Sequence, residues 1–257
     1  MTNEREDVLR LRSGLQLLAR SLFVYAASAA ASATSAGLAW SSMANRSASA
    51  PWQEAWGFGA LLVAIALMFV AAVLFLLAFP ELRAGAPAAG PGGPETIEWA
   101  RKCLLVGGLA GVLGLAEMAA GGLPMGVIIT GVGACSFLLA ALLPVLLVGT
   151  RRDVVTAGVA MSLGILGIVE ETAVTVALGW PSGNIGWAEF GGFPILNWNL
   201  PWGLAVAASA AILGWVHFRV YRRLRKGTTQ GSKPLADTPS TAGLSSSPRG
   251  TASARRP

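Results

Sequence analysis

Hydrophobic residues follow one another in six long runs, separated by shorter segments rich in Gly, Pro and charged residues. Because a bilayer core is about 30 Å thick and a helix rises about 1.5 Å per residue, a span needs about 20 apolar residues. The pattern predicts an all-α, polytopic integral membrane protein with six transmembrane helices. The first run is the weakest, because residues 26–37 are almost entirely Ala, Ser, Thr and Gly. The predicted spans are 21–40, 56–79, 103–120, 123–148, 154–180 and 202–220.

The basic residues indicate how these spans are oriented. If the six spans alternate in direction, 18 of the 19 Lys and Arg residues fall on one side of the membrane, and Arg46 is the exception. Cytoplasmic loops of membrane proteins carry an excess of Lys and Arg. The distribution therefore predicts that both termini are cytoplasmic, in a multi-pass protein of the cell inner (plasma) membrane.

Composition excludes several classes of protein. Hydrophobic residues make up 54% of the chain and charged residues 12%, about half the share typical of soluble domains. The net charge of +6 comes from basic residues at helix ends, which favours membrane lipids as partners and argues against nucleic acid. With one His and two Cys, the composition predicts neither a metal site nor a cofactor.

Four of the segments outside the predicted spans carry predictions of their own. Residues 1–20 are expected to form an amphipathic cytoplasmic segment at the inner interface; a cleaved signal peptide ending near Ala31–Ala33 is the alternative. Residues 80–102 are a cytoplasmic linker, whose part 84–94 is too rich in Gly and Pro to hold a helix. Residues 181–201 are predicted to fold back as an outer lid with Asn197 capping the last span, and residues 221–257 to be a basic, disordered cytoplasmic tail.

Carboxylates inside predicted spans are the strongest candidates for chemistry. An ionised side chain at the bilayer centre costs roughly 2.5–3.5 kcal/mol or more, and Glu117, Glu170 and Glu171 all lie within spans. Helical spacing places Glu117 and Glu171 on faces rich in small residues, so both are expected to point into the bundle. Such faces also make a homo-oligomer conceivable. A neutral carboxyl is what a general acid requires, although for Glu117 a structural hydrogen bond is the leading alternative. The lone His217 is expected at the inner interface.

The C-terminal part contains a recognisable series of residues, namely Glu171, Ala173–Val174, Gly179–Trp180, Trp187, Gly191–Gly192, Phe193 to Trp198 and Trp202; a fainter series is Glu117, Gly121, Gly122, Pro124 and Gly126. In these residues the chain resembles a family of carotenoid-biosynthesis membrane proteins that includes the carotenoid hydratases. The resemblance covers residues 171–207 and, more faintly, 117–126, and it lacks the Phe-Gly-x-Tyr element of the family. It implies acid-catalysed addition of water to the alkene of a lipophilic isoprenoid, with Glu171 or Glu117 as the acid. It further implies that Trp180 or Trp187 stabilises a cation and that Asn197 holds water. Trp198, which follows Asn197, would belong to the same substrate-binding site.

Two other classes of function fit the same residues. In a transporter or channel subunit, the intramembrane glutamates would bind a proton or a cation. In a non-catalytic assembly partner, the small-residue helices would form contacts between subunits. The residues alone do not decide whether the protein is an enzyme.

Overall fold

The computed structural model describes residues 2–44, 51–121, 123–179, 189–190, 193–194 and 196–230. These residues are helical apart from short turns at 90–92, 120–121 and 149–150 and one pair of two-residue strands, so the predicted all-α class is confirmed. The pair consists of β1 (Glu189–Phe190) and β2 (Phe193–Pro194), which are antiparallel. The helices are α1 (Thr2–Ala44), α2 (Pro51–Gly85), the short 3-10 helix η1 (Ala86–Ala89), α3 (Gly93–Ala119), α4 (Leu123–Val148), α5 (Arg151–Gly179) and α6 (Leu196–Gln230).

Five helices within the described residues are long and apolar enough to cross a membrane, namely α1, α2, α4, α5 and α6. They account for five of the six predicted spans. The predicted span 103–120 lies in α3, which is not among the five. The chain thus has the helices expected of a membrane protein.

Neighbouring helices of the bundle are antiparallel. Helix α1 packs against both α2 and α6, α6 packs against α5, α5 against α4, and α4 against α3. Leu22 of α1 lies beside Gly214 of α6, whereas Ala33 lies beside Gly203, so α1 and α6 run in opposite directions. The start of α1 and the end of α6 therefore lie at the same end of the bundle.

The first span contains several serines, and its contact with α2 explains how these polar side chains can be buried. Ser21, Ser28 and Ser35, the serine ladder of α1, each donate a 2.7 Å hydrogen bond to a carbonyl oxygen of α2. The acceptors are Ala71, Ala64 and Gly57, which are also spaced by seven residues. Small side chains let the two backbones approach closely, and the hydroxyl groups bond across the interface.

The contact between α3 and α4 uses glycine at the same spacing. A Cβ atom at Gly107 would lie 2.9 Å from the carbonyl oxygen of Gly133, and one at Gly114 would lie 2.7 Å from that of Gly126. Both distances are too short for a side chain, so these glycines permit the close approach of the two helices. The sequence predicted a packing face of small residues on α3. In the structure this face repeats every seven residues, at Gly107 and Gly114.

The large buried side chains concentrate at the end of the bundle where the chain begins. Leu15, Leu18, Phe75, Leu138 and Leu213 are all completely buried there. Tyr25, Phe75 and Phe137 extend this core toward the middle, with ring centroids 4.5–5.0 Å apart. This half is therefore filled by Leu, Val and Phe, and the more open space lies in the other half.

The predicted boundaries at the two ends of the chain are wrong. Helix α1 is continuous from Thr2, and Leu11 and Leu15 are buried in the bundle, so residues 1–20 are not a separate interfacial segment. Helix α6 continues to Gln230, so the tail predicted from residue 221 does not begin there. In each case apolar side chains, such as buried Val220 and Tyr221, still pack on neighbouring helices. Residues 231–257 lie outside the described residues.

The linker predicted over residues 80–102 is also largely helical. Helix α2 continues to Gly85, η1 follows, and α3 begins at Gly93. Gly90 has a φ of +104°, a conformation that glycine adopts without steric cost. A side chain at Gly85 would collide with the backbone of Leu11. Gly90 therefore permits a tight turn, and Gly85 permits a close contact with α1.

Most of the predicted lid, residues 181–201, lies outside the described residues. Its described parts are β1, β2 and the start of α6. Phe190 pairs with Phe193 across the strands, whereas the predicted hinge at Gly191–Gly192 lies outside the described residues. Helix α6 begins at Leu196, so Asn197 belongs to the first turn of the helix and does not precede it as a cap.

Candidate functional site

A cavity of about 370 Å³ lies among α1, α2, α4, α5 and α6. It occupies the half of the bundle away from the large buried leucines. Pockets of about 300–1,000 Å³ that are mostly apolar and carry a few polar groups are typical small-molecule sites. Its lining residues are Tyr25, Ser28, Ala29, Ser32, Ala33, Met68, Val127, Thr130, Gly131, Ala134, Ile168, Thr172, Gly203 and Val206.

Side-chain hydroxyl groups supply the polarity of the cavity. The Ser28 hydroxyl donates a 2.7 Å hydrogen bond to the carbonyl oxygen of Ala64 on α2, and the Thr130 hydroxyl donates a 2.8 Å hydrogen bond to that of Gly126 within α4. Both oxygens keep lone pairs that can accept a hydrogen bond from a ligand. Thr172 of α5 lies against Gly131 of α4, where a Cβ atom would approach its hydroxyl oxygen to 2.8 Å. The absence of a side chain at Gly131 therefore leaves space beside the Thr172 hydroxyl.

The cavity reaches the outer surface of the bundle. Met68 of α2 is 43% exposed, and Ser32 of α1 is also accessible at the surface, yet both line the cavity. In a membrane, this surface faces hydrocarbon. A lipophilic molecule could therefore enter from the side, without passing through water.

The structure does not bring the three predicted acids together around this cavity. Glu117 is exposed on α3, so the expectation that it points into the bundle is wrong: the helix buries Gly114 against α4 and turns Glu117 outward. Glu170 is half-buried and is not among the lining residues. Glu171 belongs to α5, but its side chain lies outside the described part of the structure.

The glycine face predicted for α5 is present. A Cβ atom at Gly164 would collide with the hydroxyl oxygen of Ser209 on α6, and one at Gly167 would lie 2.9 Å from the carbonyl oxygen of Trp202. These glycines bring α5 and α6 close together beside the cavity, where Ile168 and Thr172 line it.

The predicted aromatic and amide residues of the site cannot be placed around the cavity. Trp180 and Trp187 lie outside the described residues. Asn197 and Trp198 belong to the first turn of α6, but their side chains are not described. The roles that the family resemblance implies for these four residues stay predictions.

A buried ion cluster closes the opposite end of the bundle. The side chain of Asp153, at the start of α5, is completely buried; it accepts a hydrogen bond from Arg223 and lies 3.6 Å from Arg219, both on α6. Thr150 donates to the same carboxylate from its backbone N–H at 2.9 Å and from its hydroxyl at 2.7 Å. Thr150 and Asp153 form a capping box, whose Thr-x-x-Asp spacing is readable in the sequence.

His217 is fully buried, so its predicted place at the interface is wrong. Its Nδ1 atom lies 2.8 Å from the carbonyl oxygen of Leu213, one turn earlier in α6. Its Nε2 atom is buried, and the ring also interacts with the backbone of Ala141 on α4. A single His near several Arg residues gave no periodic signal that could have revealed this burial.

The described residues contain no group of three or more His, Cys, Asp or Glu side chains that could hold a metal ion. Comparison with protein-family models, with characterised proteins and with solved structures finds no match for this chain. A proposal about function therefore rests on the arrangement of the cavity and its hydroxyl groups.

Proposed function

We propose that this protein is a six-span membrane protein that binds a lipophilic small molecule, of the isoprenoid or polyene class, in the cavity among α1, α2, α4, α5 and α6. The observation that carries the proposal is the cavity itself. Its lining is mainly apolar with a few hydroxyl groups, and it opens at the surface that would face the lipid. A hydrocarbon chain fits the apolar wall, and the hydroxyl groups offer hydrogen bonds to one polar end.

In this proposal α3 is the sixth span, and both termini are cytoplasmic in the plasma membrane. Two features support α3 as a span: it packs antiparallel along α4, and it exposes large apolar side chains such as Leu105, Leu109 and Val112, each more than half exposed. Such a surface is stable in hydrocarbon and unfavourable in water. The predominance of basic residues at the shared end of α1 and α6 supports the cytoplasmic orientation.

The chemistry proposed for the bound molecule is acid-catalysed addition of water to an isolated alkene. Glu171 is the proposed acid, since on α5 it follows the lining residue Ile168 by three positions and so falls on the same side of the helix. Its carboxyl proton would be transferred to one alkene carbon, leaving a tertiary cation on the other. Water would then form the new C–O bond, and the proton it loses would return to the carboxylate.

An ion or proton pathway has less support. Glu117 lies on the outer surface of α3, and Glu170 is not among the residues that line the cavity, so the described acids form no path across the bundle. We therefore do not advance transport as a second function.

Binding can be tested by cavity filling with a matched control. The variant Ser32→Leu places a larger side chain at the cavity mouth, whereas Thr34→Leu makes a similar change on the same helix at an exposed position that does not line the cavity. Each protein is purified from a polyene-producing host, and the bound pigment is extracted with organic solvent and measured by absorbance. We expect Ser32→Leu to lower the bound pigment at least tenfold and Thr34→Leu to leave it unchanged. Equal pigment in both variants would refute the cavity as the binding site.

Catalysis is tested separately from binding. Glu171→Gln should abolish water addition while the pigment stays bound, because Gln keeps hydrogen-bonding groups but has no acidic proton. The neighbouring variant Glu170→Gln should retain most activity. Product formation at the normal rate by the Glu171 variant would refute the catalytic role and leave the binding role intact.

A further inference from the structure

Four side chains, three exposed and one half-buried (Arg219), form a stripe near the end of α6, at the opposite end of the bundle from the cavity. The stripe consists of Trp215, Phe218, Arg219 and Arg222, which are spaced by three and four residues and so share one face of the helix. Trp215 is 49% exposed and Phe218 is 38% exposed. The apolar rings come first along α6 and the guanidinium groups follow, which is the order of hydrocarbon and headgroup at a membrane surface.

Each arginine of the stripe lies over one of its aromatic rings. The Arg219 Cζ atom is 5.4 Å from the centroid of Trp215, and the Arg222 Cζ atom is 5.6 Å from that of Phe218. Cation–π contacts at this distance are attractive. They hold both guanidinium groups beside the rings and reduce the side-chain freedom that a ligand would otherwise have to restrict.

The charge at this end is not neutralised by the one acid in the cluster. Asp153 is shared by Arg219 and Arg223, so these three side chains together carry a net charge of +1. Arg222 adds a second positive charge, and the exposed Arg151 and Arg152 precede Asp153 at the start of α5. The surface therefore combines excess positive charge with exposed rings.

We propose that this stripe binds an anionic phospholipid, with the phosphate on Arg219 and Arg222 and an acyl chain along Trp215 and Phe218. Guanidinium groups match the geometry of phosphate oxygens and can donate two parallel hydrogen bonds. The buried Asp153 positions Arg219, so part of the site is formed before the lipid arrives. The proposal requires only that α6 is in a membrane, and it is independent of what occupies the cavity.

The test uses the full-length protein in a neutral detergent. Binding of phosphatidylglycerol and of phosphatidylcholine with the same acyl chains is measured by native mass spectrometry across a lipid titration. We expect the intact protein to bind phosphatidylglycerol at least tenfold more tightly than phosphatidylcholine. A basic residue near a membrane surface contributes about fivefold to the binding of anionic lipid, so Arg222→Gln should weaken phosphatidylglycerol binding by about fivefold or more.

The matched control is Lys102→Gln. Lys102 of α3 is also an exposed cation over an exposed ring, 4.8 Å from the centroid of Trp99, but it lies outside the stripe. We expect this variant to change phosphatidylglycerol binding less than twofold, and we expect inorganic phosphate alone not to compete. An equal loss in both variants would show non-specific attraction and overturn the proposal. Equal affinity for the two lipids, or displacement of the lipid by phosphate alone, would overturn it as well.

Discussion

Asp153 at the start of α5 accepts a hydrogen bond from Arg223, which lies 70 residues later in the chain near the end of α6. The carboxylate is completely buried, whereas the Arg223 side chain is 39% exposed. This pair fixes the two helix ends against each other at the end of the bundle where the chain begins. Arg219 of α6 lies 3.6 Å from the same carboxylate.

Removing the charge of Asp153 should therefore destabilise the bundle. In Asp153→Asn, Arg219 and Arg223 lose their carboxylate partner. Because hydrogen bonds to charged groups contribute about 1.5–3 kcal/mol, we expect the free energy of unfolding to fall by about that amount, toward the lower limit since Arg223 is partly exposed. Titration of the purified protein with a denaturing detergent measures the change.

The control for this variant is Glu98→Gln on α3. Glu98 pairs with Arg101 only three residues away, and the hydrogen bond from Arg101 lowers the pKa of Glu98. Exposed pairs of this kind contribute little to stability, so the control should unfold like the parent protein. If Asp153→Asn also unfolds like the parent, the buried pair does not hold α5 and α6 together.

The serine ladder makes a second prediction. Ser28→Ala removes the hydrogen bond to Ala64, and hydrogen bonds between membrane helices average about 0.6 kcal/mol with a maximum near 1.7. We expect a loss of stability in this range. Ser162→Ala on α5 is the control, because that hydroxyl is exposed and donates its hydrogen bond to Gly158 of its own helix. A loss in the control as large as in Ser28→Ala would contradict a role for the ladder between helices.

Gly107 and Gly108 of α3 give a third prediction, in which the two alanine substitutions have different effects on stability. Gly107→Ala puts a methyl group against Gly133, and overpacking of this kind costs about 1–3 kcal/mol. A Cβ atom at Gly108 would meet open space, with no atom of a packed neighbour among the described residues within 4 Å. Gly108→Ala should therefore be neutral or stabilise the helix by up to about 1 kcal/mol. Thermal unfolding of both variants in detergent distinguishes the two effects. If Gly108→Ala destabilises the protein and Gly107→Ala does not, then α3 contacts α4 through the face that carries Gly108, and the prediction is wrong.

Much of the helical architecture follows from the sequence, because length and hydropathy alone decide whether a segment can cross a bilayer. The apolar runs predicted helices in all six places where α1 to α6 occur. The regular spacing of Ser21, Ser28 and Ser35 and the Thr150–Asp153 capping box were not predicted, although both are local patterns present in the sequence. The helix ends were not predicted either, because Leu11, Leu15 and Tyr221 extend α1 and α6 by packing on neighbours that no local pattern specifies.

Only the tertiary structure decided which side of each helix faces the bundle interior. Helical spacing placed Glu117 in line with Gly114, yet α3 buries the glycine and exposes the acid, because α4 lies against Gly107 and Gly114 and leaves Glu117 at the surface. His217 is buried and Asp153 is paired with Arg223 for the same reason: each depends on a partner helix far away in the chain. The sequence by itself determined that the chain forms long apolar helices and which of their faces are small. The packing of five of those helices determined where space remained between them, and so where the cavity lies.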